Sequence, residues 1–228
     1  MSKLLNVEKF DVDKITYSDP KMIGSGKIQS KQIYVNYAGS SIMLHTPSMR
    51  IPFGLGKYQV DKSVPAKYTL NMSFDGIEND DKKKQFYDKI VEFETKIKED
   101  MKKNSVAWMN KSHMTDDAVE EVFTSCIKFS KDKETGEKST KFAPTLHLKI
   151  PFYNNNFGMT VFDENTNEID INEKSIPKGS NGIAIIKCNG IWTSTHGFGC
   201  NWKLEQLKME NATKKKEPVQ RYAFIDDD

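Results

Sequence analysis

Between Asp80 and Lys103 the chain changes its hydrophobic period, and that change limits the folds open to it. Phe86, Ile90, Phe93, Ile97 and Met101 recur every three or four residues among acids and lysines, which puts them on one stripe of a single long amphipathic helix. Asn79 or Asp80 can cap its first free amides, and Lys102 and Lys103 at the far end suit the helix dipole. A second, short helix is expected after Thr115, whose hydroxyl serves as N-cap ahead of Val119, Val122 and Phe123. On either side the period is two. Tyr68, Leu70, Met72 and Phe74 alternate with Thr69, Asn71, Ser73 and Asp75. Leu146, Leu148 and Ile150 alternate with His147 and Lys149 until Pro151, which has no amide hydrogen to donate, ends the ladder.

Shorter strands are expected around 15–17, 32–37, 41–45 and 126–130, and again at 183–188, 191–194 and 201–209 after a polar loop at 163–181. Strands, then helices, then strands is the order of a mainly β chain with a helical insertion, an α+β arrangement. The favoured architecture is an OB-type five-stranded β-barrel with the long amphipathic helix inserted, the insertion covering about 79–125. A β-sandwich covered on one side by the helix is the alternative, which periodicity alone does not separate from it. One domain is expected over 1–210, followed by a flexible tail over 211–228, lysine-rich and then acidic.

Charge decides how such a chain could hold a polyanion. The net charge is only +2, so any affinity must come from an uneven distribution of 34 basic and 32 acidic residues. Arg50 and Arg221 are the only arginines. Cys126, Cys188 and Cys200 form no CxxC pair, and an odd number does not close a disulfide framework, so a reducing, intracellular compartment is expected. The N-terminal segment MSKLLNVEKFDVDK has no apolar run of signal-peptide length, no stretch approaches a membrane span, and the acceptor sequons at Asn71, Asn110 and Asn211 are expected to stay unused.

Several motifs fail on inspection. Gly24-Ser25-Gly26-Lys27 lacks the upstream glycine and the following Ser or Thr of a phosphate loop. Gly197-Phe198-Gly199 meets Trp202 where a dinucleotide fingerprint needs a third glycine. Asp163-Glu164-Asn165-Thr166-Asn167 has Glu168 in place of the glycine a calcium loop bends on. The four histidines stand singly, so neither a metal nor a cofactor is expected, and no nucleophile elbow, kinase or zinc-deaminase signature supports catalysis. The chain reads as a non-enzyme.

What remains is rings beside positive charge, the combination that grips single-stranded nucleic acid through base stacking and phosphate neutralisation. The Pro- and Gly-punctuated segment 47–58 holds Arg50, Phe53, Lys57 and Tyr58. The segment 190–203 alternates along a hairpin and carries Trp192, Phe198, Trp202 and Lys203, with Lys187 nearby. Phe198, at the expected tip, is the stacking candidate, and at least one of the two tryptophans is expected in the core. Tyr34 and Tyr37 fall on opposite faces of their strand, so at most one reaches a ligand, and Lys149 lies on the wet face of its own. The tail places Phe224 and Ile225 before Asp226, Asp227 and Asp228, an apolar pair and an acidic tip suited to a partner's pocket or to occupying a basic groove.

Thr46-Pro47 with Pro52-Phe53-Gly54-Leu55, the strand ending at Phe74, and Gly190-Ile191-Trp192 followed by the run from Phe198 to Leu207 resemble the single-stranded DNA-binding proteins of nucleocytoplasmic large DNA viruses, over roughly 30–210. The tail is similar to those of bacterial and phage single-stranded DNA-binding proteins. The resemblance implies an OB fold with helical insertions, no catalysis, and a role in covering single strands during viral replication, repair or recombination. The partners implied are single-stranded DNA, with RNA as the related polymer, replication proteins reached through the tail, and further copies of the chain. Residence in the host cytoplasm at a viral factory, or in the nucleus, would follow. The scarcity of arginine departs from tight, salt-resistant binders, so lysine-dominated and strongly salt-dependent affinity is expected.

Overall fold

Each barrel stave alternates apolar and polar residues, so each has one face to bury, and closing the sheet on itself buries all of them together. The computed structural model describes residues 3–24, 30–61 and 64–210. The first stave has two halves, β1 (Ser40–His45) and β2 (Met49–Ile51), followed by β3 (Lys67–Ser73), β4 (Thr145–Ile150), β5 (Ser180–Ser194) and β6 (Gly197–Glu210). Pairing runs from β2 to β3, β4, β6 and β5, and β5 returns to both β1 and β2. The ring is closed. Every junction is antiparallel except that of β4 with β6, which is parallel and sets Leu148 opposite Trp202 and Lys149 opposite Lys203. The expected OB-type five-stranded barrel with an inserted helix is therefore the fold, and the sandwich alternative is set aside because one ring of strands encloses the core.

Two local devices shape the ring. Pro47 has no amide hydrogen, so the first stave kinks there; Thr46 holds the kink by exchanging backbone contact with Ala184 and accepting the Ala184 amide on its hydroxyl, each at 2.9 Å. Between Cys188 and Ile191 the β5–β6 register shifts at a bulge, where Gly190 has φ +89° and a Cβ would lie 2.3 Å from the Ile33 carbonyl oxygen. Only glycine fits.

The expected long helix is α1 (Asp81–Lys103), with the Asp80 carboxylate accepting the Lys83 amide at 3.0 Å. Its stripe packs on the barrel core: Phe93 lies 5.4 Å from Trp202 and Phe86 6.3 Å from Phe74, ring centre to ring centre. Each such buried ring contributes about 1.5–3 kcal/mol by removal from water. Glu94 is buried among them because its carboxylate accepts the Cys126 amide and the Ser125 hydroxyl, both at 2.6 Å. A short α2 (Ser105–Met109), which the periodicity did not single out, precedes α3 (Asp116–Val122), capped by Thr115 as expected. The chain then adds Phe123–Thr124 as a strand parallel to Phe198–Gly199 of β6.

The segment 47–58 is more ordered than its prolines and glycines imply. It supplies β2 to the barrel, and Leu55–Tyr58 pairs antiparallel with β3. The tail residues Phe224, Ile225, Asp226, Asp227 and Asp228, and most of the rejected phosphate-loop segment, lie outside the described residues.

Candidate nucleic-acid interface

The polar faces of β3 and β4 form the floor of a groove. Thr145, His147 and Lys149 stand opposite Ser73, Asn71 and Thr69, so the two wet faces lie side by side. From Lys67 to Ser73 the floor runs about 20 Å. Three concavities of about 650, 240 and 630 Å³ follow it, the first and second sharing Lys128 and the second and third sharing His147 and Lys149.

Rings stand at both ends. At one end Phe53, Phe129 and Phe142 surround Arg50, Lys128 and Lys141. Phe53 and Phe142 are 58% and 64% exposed, far more than a phenylalanine serving only the core. Pro52 and Gly54 lift Phe53 out: Gly54 has φ +67°, and a Cβ there would meet the Ile176 carbonyl oxygen at 2.6 Å. At the other end Tyr58 and Tyr153 are 63% and 74% exposed beside Lys67, Lys149 and Lys203.

A row of lysines crosses the strands from the Tyr58 end of the groove. Lys187 pairs in register with Lys203, and Lys203 with Lys149, so three lysines on adjacent strands share one face, their backbones at roughly the 4.8 Å strand spacing. Like charges directly opposite one another cost stability. Lys203 is offset by Glu205 at 2.7 Å and Arg50 by Asp75 at 4.0 Å, but Lys67, Lys128, Lys141, Lys149 and Lys187 make no ion pair among the described residues. Burial, and next the charge of Lys67, lowers the pKa of Lys149. The counter-charges are elsewhere: Lys84, Lys89, Lys96, Lys98 and Lys102 on α1 all pair with acids. A chain of net charge +2 thus carries on one face several cations that have no acid partner among the described residues.

In mid-groove the Nδ1 of His147 lies 3.0 Å from Oδ1 of Asn71. With the Asn71 amide oxygen facing the ring, the contact is made by the tautomer that carries its proton on Nδ1 and leaves the lone pair on Nε2. Burial, then Lys128 and Lys149, lowers the His147 pKa, so the ring is neutral at neutral pH.

The residues expected from sequence fall into three groups. Arg50, Phe53, Tyr58, Lys149 and Lys203 line the groove, and Trp192 is half-buried in its middle concavity beside Lys128 and His147. Lys57 is drawn onto Glu173 at 2.7 Å, and the 47% exposed Tyr34, under Lys21 at 5.4 Å, lines none of the three concavities. Phe198 and Trp202 offer no face at all: this corrects the expectation of Phe198 as the stacking ring and removes Trp202 from the contact candidates, Trp202 being the tryptophan that lies in the core. Phe198 is fully buried because the Phe123–Thr124 strand covers it, with Phe123 at 5.2 Å, and the hairpin turns at Thr195-His196 instead. Trp202 points inward beneath α1. Residues that the sequence reading passed over, Lys128-Phe129 and Lys141-Phe142, carry the signal twice: a lysine next to a phenylalanine on either arm of the excursion before β4. Among the described residues no helix is long and apolar enough to cross a membrane, and no three or more His, Cys, Asp or Glu side chains group to hold a metal ion.

Fold and groove together define a closed OB-type barrel with a cationic, ring-ended surface channel. Residues 77–226 match a family of unknown function, DUF5871, and the chain belongs to that family. No curated protein matches it. Similar solved structures include the single-stranded DNA-binding protein from bacteriophage Enc34 in complex with ssDNA, at 13% identity over 83% of this chain and 95% of that one, with a TM-score of 0.47. Another is gp2.5, a single-stranded DNA-binding protein encoded by bacteriophage T7, at 11% identity over 79% of this chain and 98% of that one, with a TM-score of 0.46.

Proposed function

We propose that the groove binds single-stranded DNA, non-catalytically, with bases stacked on the rings at its two ends and phosphates neutralised by the lysines between them. The observation that carries this reading is the in-register row Lys187, Lys203 and Lys149, of which only Lys203 has a carboxylate partner among the described residues, on the barrel face that bears the exposed rings. Folding gains nothing from that row; a polyanion removes its repulsion. Exposed rings add about 1–3 kcal/mol per stacked base, with little regard to sequence. A 20 Å floor with rings beyond each end suits a footprint at the short end of the 4–16 nucleotides typical of one OB fold.

The wider role proposed is the covering of single strands in viral DNA replication, repair or recombination, in the host cytoplasm or nucleus, with RNA as a second polymer and other copies of the chain as neighbours. The sequence resemblance to the large DNA virus proteins supports it. The tail belongs to the same proposal, Phe224 and Ile225 docking on replication proteins and Asp226 to Asp228 competing for the groove.

The test is titration with unlabelled oligonucleotides of graded length at low salt, read by tryptophan emission. Trp108 and Trp202 are buried, so Trp192 is the reporter. Quenching that saturates and reverses with salt is expected; folded protein that leaves a fluorescein-labelled oligonucleotide's anisotropy unchanged at low salt would sink the reading.

A further inference from the structure

We infer that His147 is a nucleic-acid contact residue that makes binding proton-linked: the groove takes up one proton, on His147 Nε2, as a single strand enters. The inference rests on the binding reading above and deepens it by naming a residue and a pH dependence.

Geometry places the ring where a strand must pass. His147 lines both the middle concavity and the one that ends at Tyr58 and Tyr153. Its backbone amide donates to the Cys126 carbonyl at 2.9 Å, which fixes the strand, and its Nδ1 contact with Asn71 orients the ring. Nε2 is thereby committed as the free nitrogen. The other histidines, His45, His113 and His196, are exposed and line none of the three groove concavities.

The charges around the ring explain why the proton waits for the ligand. From the neighbouring strand comes Lys128, from the same strand Lys149, and from β6 Lys203, which is partly offset by Glu205. From β3 come the neutral Asn71 amide and, in the concavity that ends at Tyr58 and Tyr153, Lys67; from the barrel side come the thiols of Cys126 and Cys200. The buried carboxylate of Glu94 is taken up by the Ser125 hydroxyl and the Cys126 amide. Free protein thus surrounds His147 with cations and burial, both of which disfavour its charged form. A phosphate chain in the groove answers those cations and supplies an acceptor for an Nε2 proton, which reverses the balance. By linkage, whatever raises the His147 pKa on binding must strengthen binding as pH falls.

The experiment measures affinity for an oligothymidylate, at fixed ionic strength, from pH 8 to 5.5 in wild-type protein, His147→Gln and His196→Gln. Thymine does not titrate in that range, so the slope belongs to the protein. Wild type and H196Q are expected to gain up to about tenfold in affinity per pH unit at the steepest point, the limit for one proton. H147Q, whose amide keeps a polar contact without a titrating group, is expected to bind with a nearly flat profile. Calorimetry in two buffers of different ionisation enthalpy should count proton uptake in wild type and none in H147Q. Wild type that binds with no pH dependence, or H147Q that keeps the wild-type slope, overturns the inference while leaving the binding reading intact. Failure of all three proteins to bind at any pH, with the fold retained, overturns the binding reading and the inference with it.

Discussion

Lys149 stands directly opposite Lys203 across the parallel β4–β6 junction, two cations on one wet face of a closed barrel. Among the described residues only Lys203 has a carboxylate partner, and burial, then Lys67, lowers the pKa of Lys149. Lys149→Met keeps the aliphatic stem and removes the unpaired charge. It should weaken oligonucleotide binding and cut the log–log salt slope by about 0.7, the value for one single-strand phosphate contact. Thermal stability should hold or rise. A salt titration beside a melting curve checks both, and an unchanged slope would place the phosphate track off β4.

Phe142 and Tyr153 are largely solvent-exposed, whereas Phe198 and Trp202 are fully buried. Phe142→Ala and Tyr153→Ala should therefore leave the melting temperature within a few degrees of wild type, yet each should weaken binding by about 1–3 kcal/mol. Phe198→Ala and Trp202→Ala should do the reverse, costing about 3–5 kcal/mol of stability. Chemical denaturation paired with anisotropy separates the two sets. Equal effects from both sets would deny the groove its rings.

Glu94 joins α1 to the strand that leads into β4 through the Cys126 amide and the Ser125 hydroxyl. Glu94→Ala leaves a buried amide without its acceptor, and a loss of about 1–3 kcal/mol is expected. Denaturant titration reads it. A loss below about 0.5 kcal/mol would show that water or another acceptor replaces the carboxylate.

His147 also sets a pH dependence of the free protein. Its pKa is lowered in the folded state, by burial first and by Lys128 and Lys149 next, so the unfolded chain binds more protons as pH falls below the ordinary histidine range. The stability tied to its neutral form is complete above the unfolded pKa and is lost as pH falls through the folded one. Melting temperature should drop on acidification in wild type and drop less in H147Q. Saturating oligonucleotide should reduce the difference between them.

Removing Asp226 to Asp228 should tighten oligonucleotide binding if the acidic tip competes for the groove. Competition binding at low salt tests it, and unchanged affinity would leave the tail as a docking peptide or an inert end.

Local chemistry made much of the scaffold legible from the chain alone. The stripe from Phe86 to Met101 and the alternation in β3 and β4 depend on residues a few positions apart, so helix, strands and wet faces followed from spacing, as did the Thr115 cap, while the structure chose Asp80 over Asn79 at the start of α1. The barrel itself rested on element order. The groove was only partly visible: Arg50, Phe53, Tyr58 and Lys149 are local readings that the structure brings together, while the sequence could not say that Lys187, Lys203 and Lys149 share a line. That line is a matter of register between strands far apart in the chain, set by which residues the barrel interior accepts. Burial was decided the same way. A ring in a hairpin looks alike to any local rule whether it faces solvent or not; Phe198 is buried because Phe123, 75 positions earlier, returns to cover it, and Trp202 because α1 lies over it. Sequence determined what each segment could be, and tertiary packing decided which of its faces stayed wet.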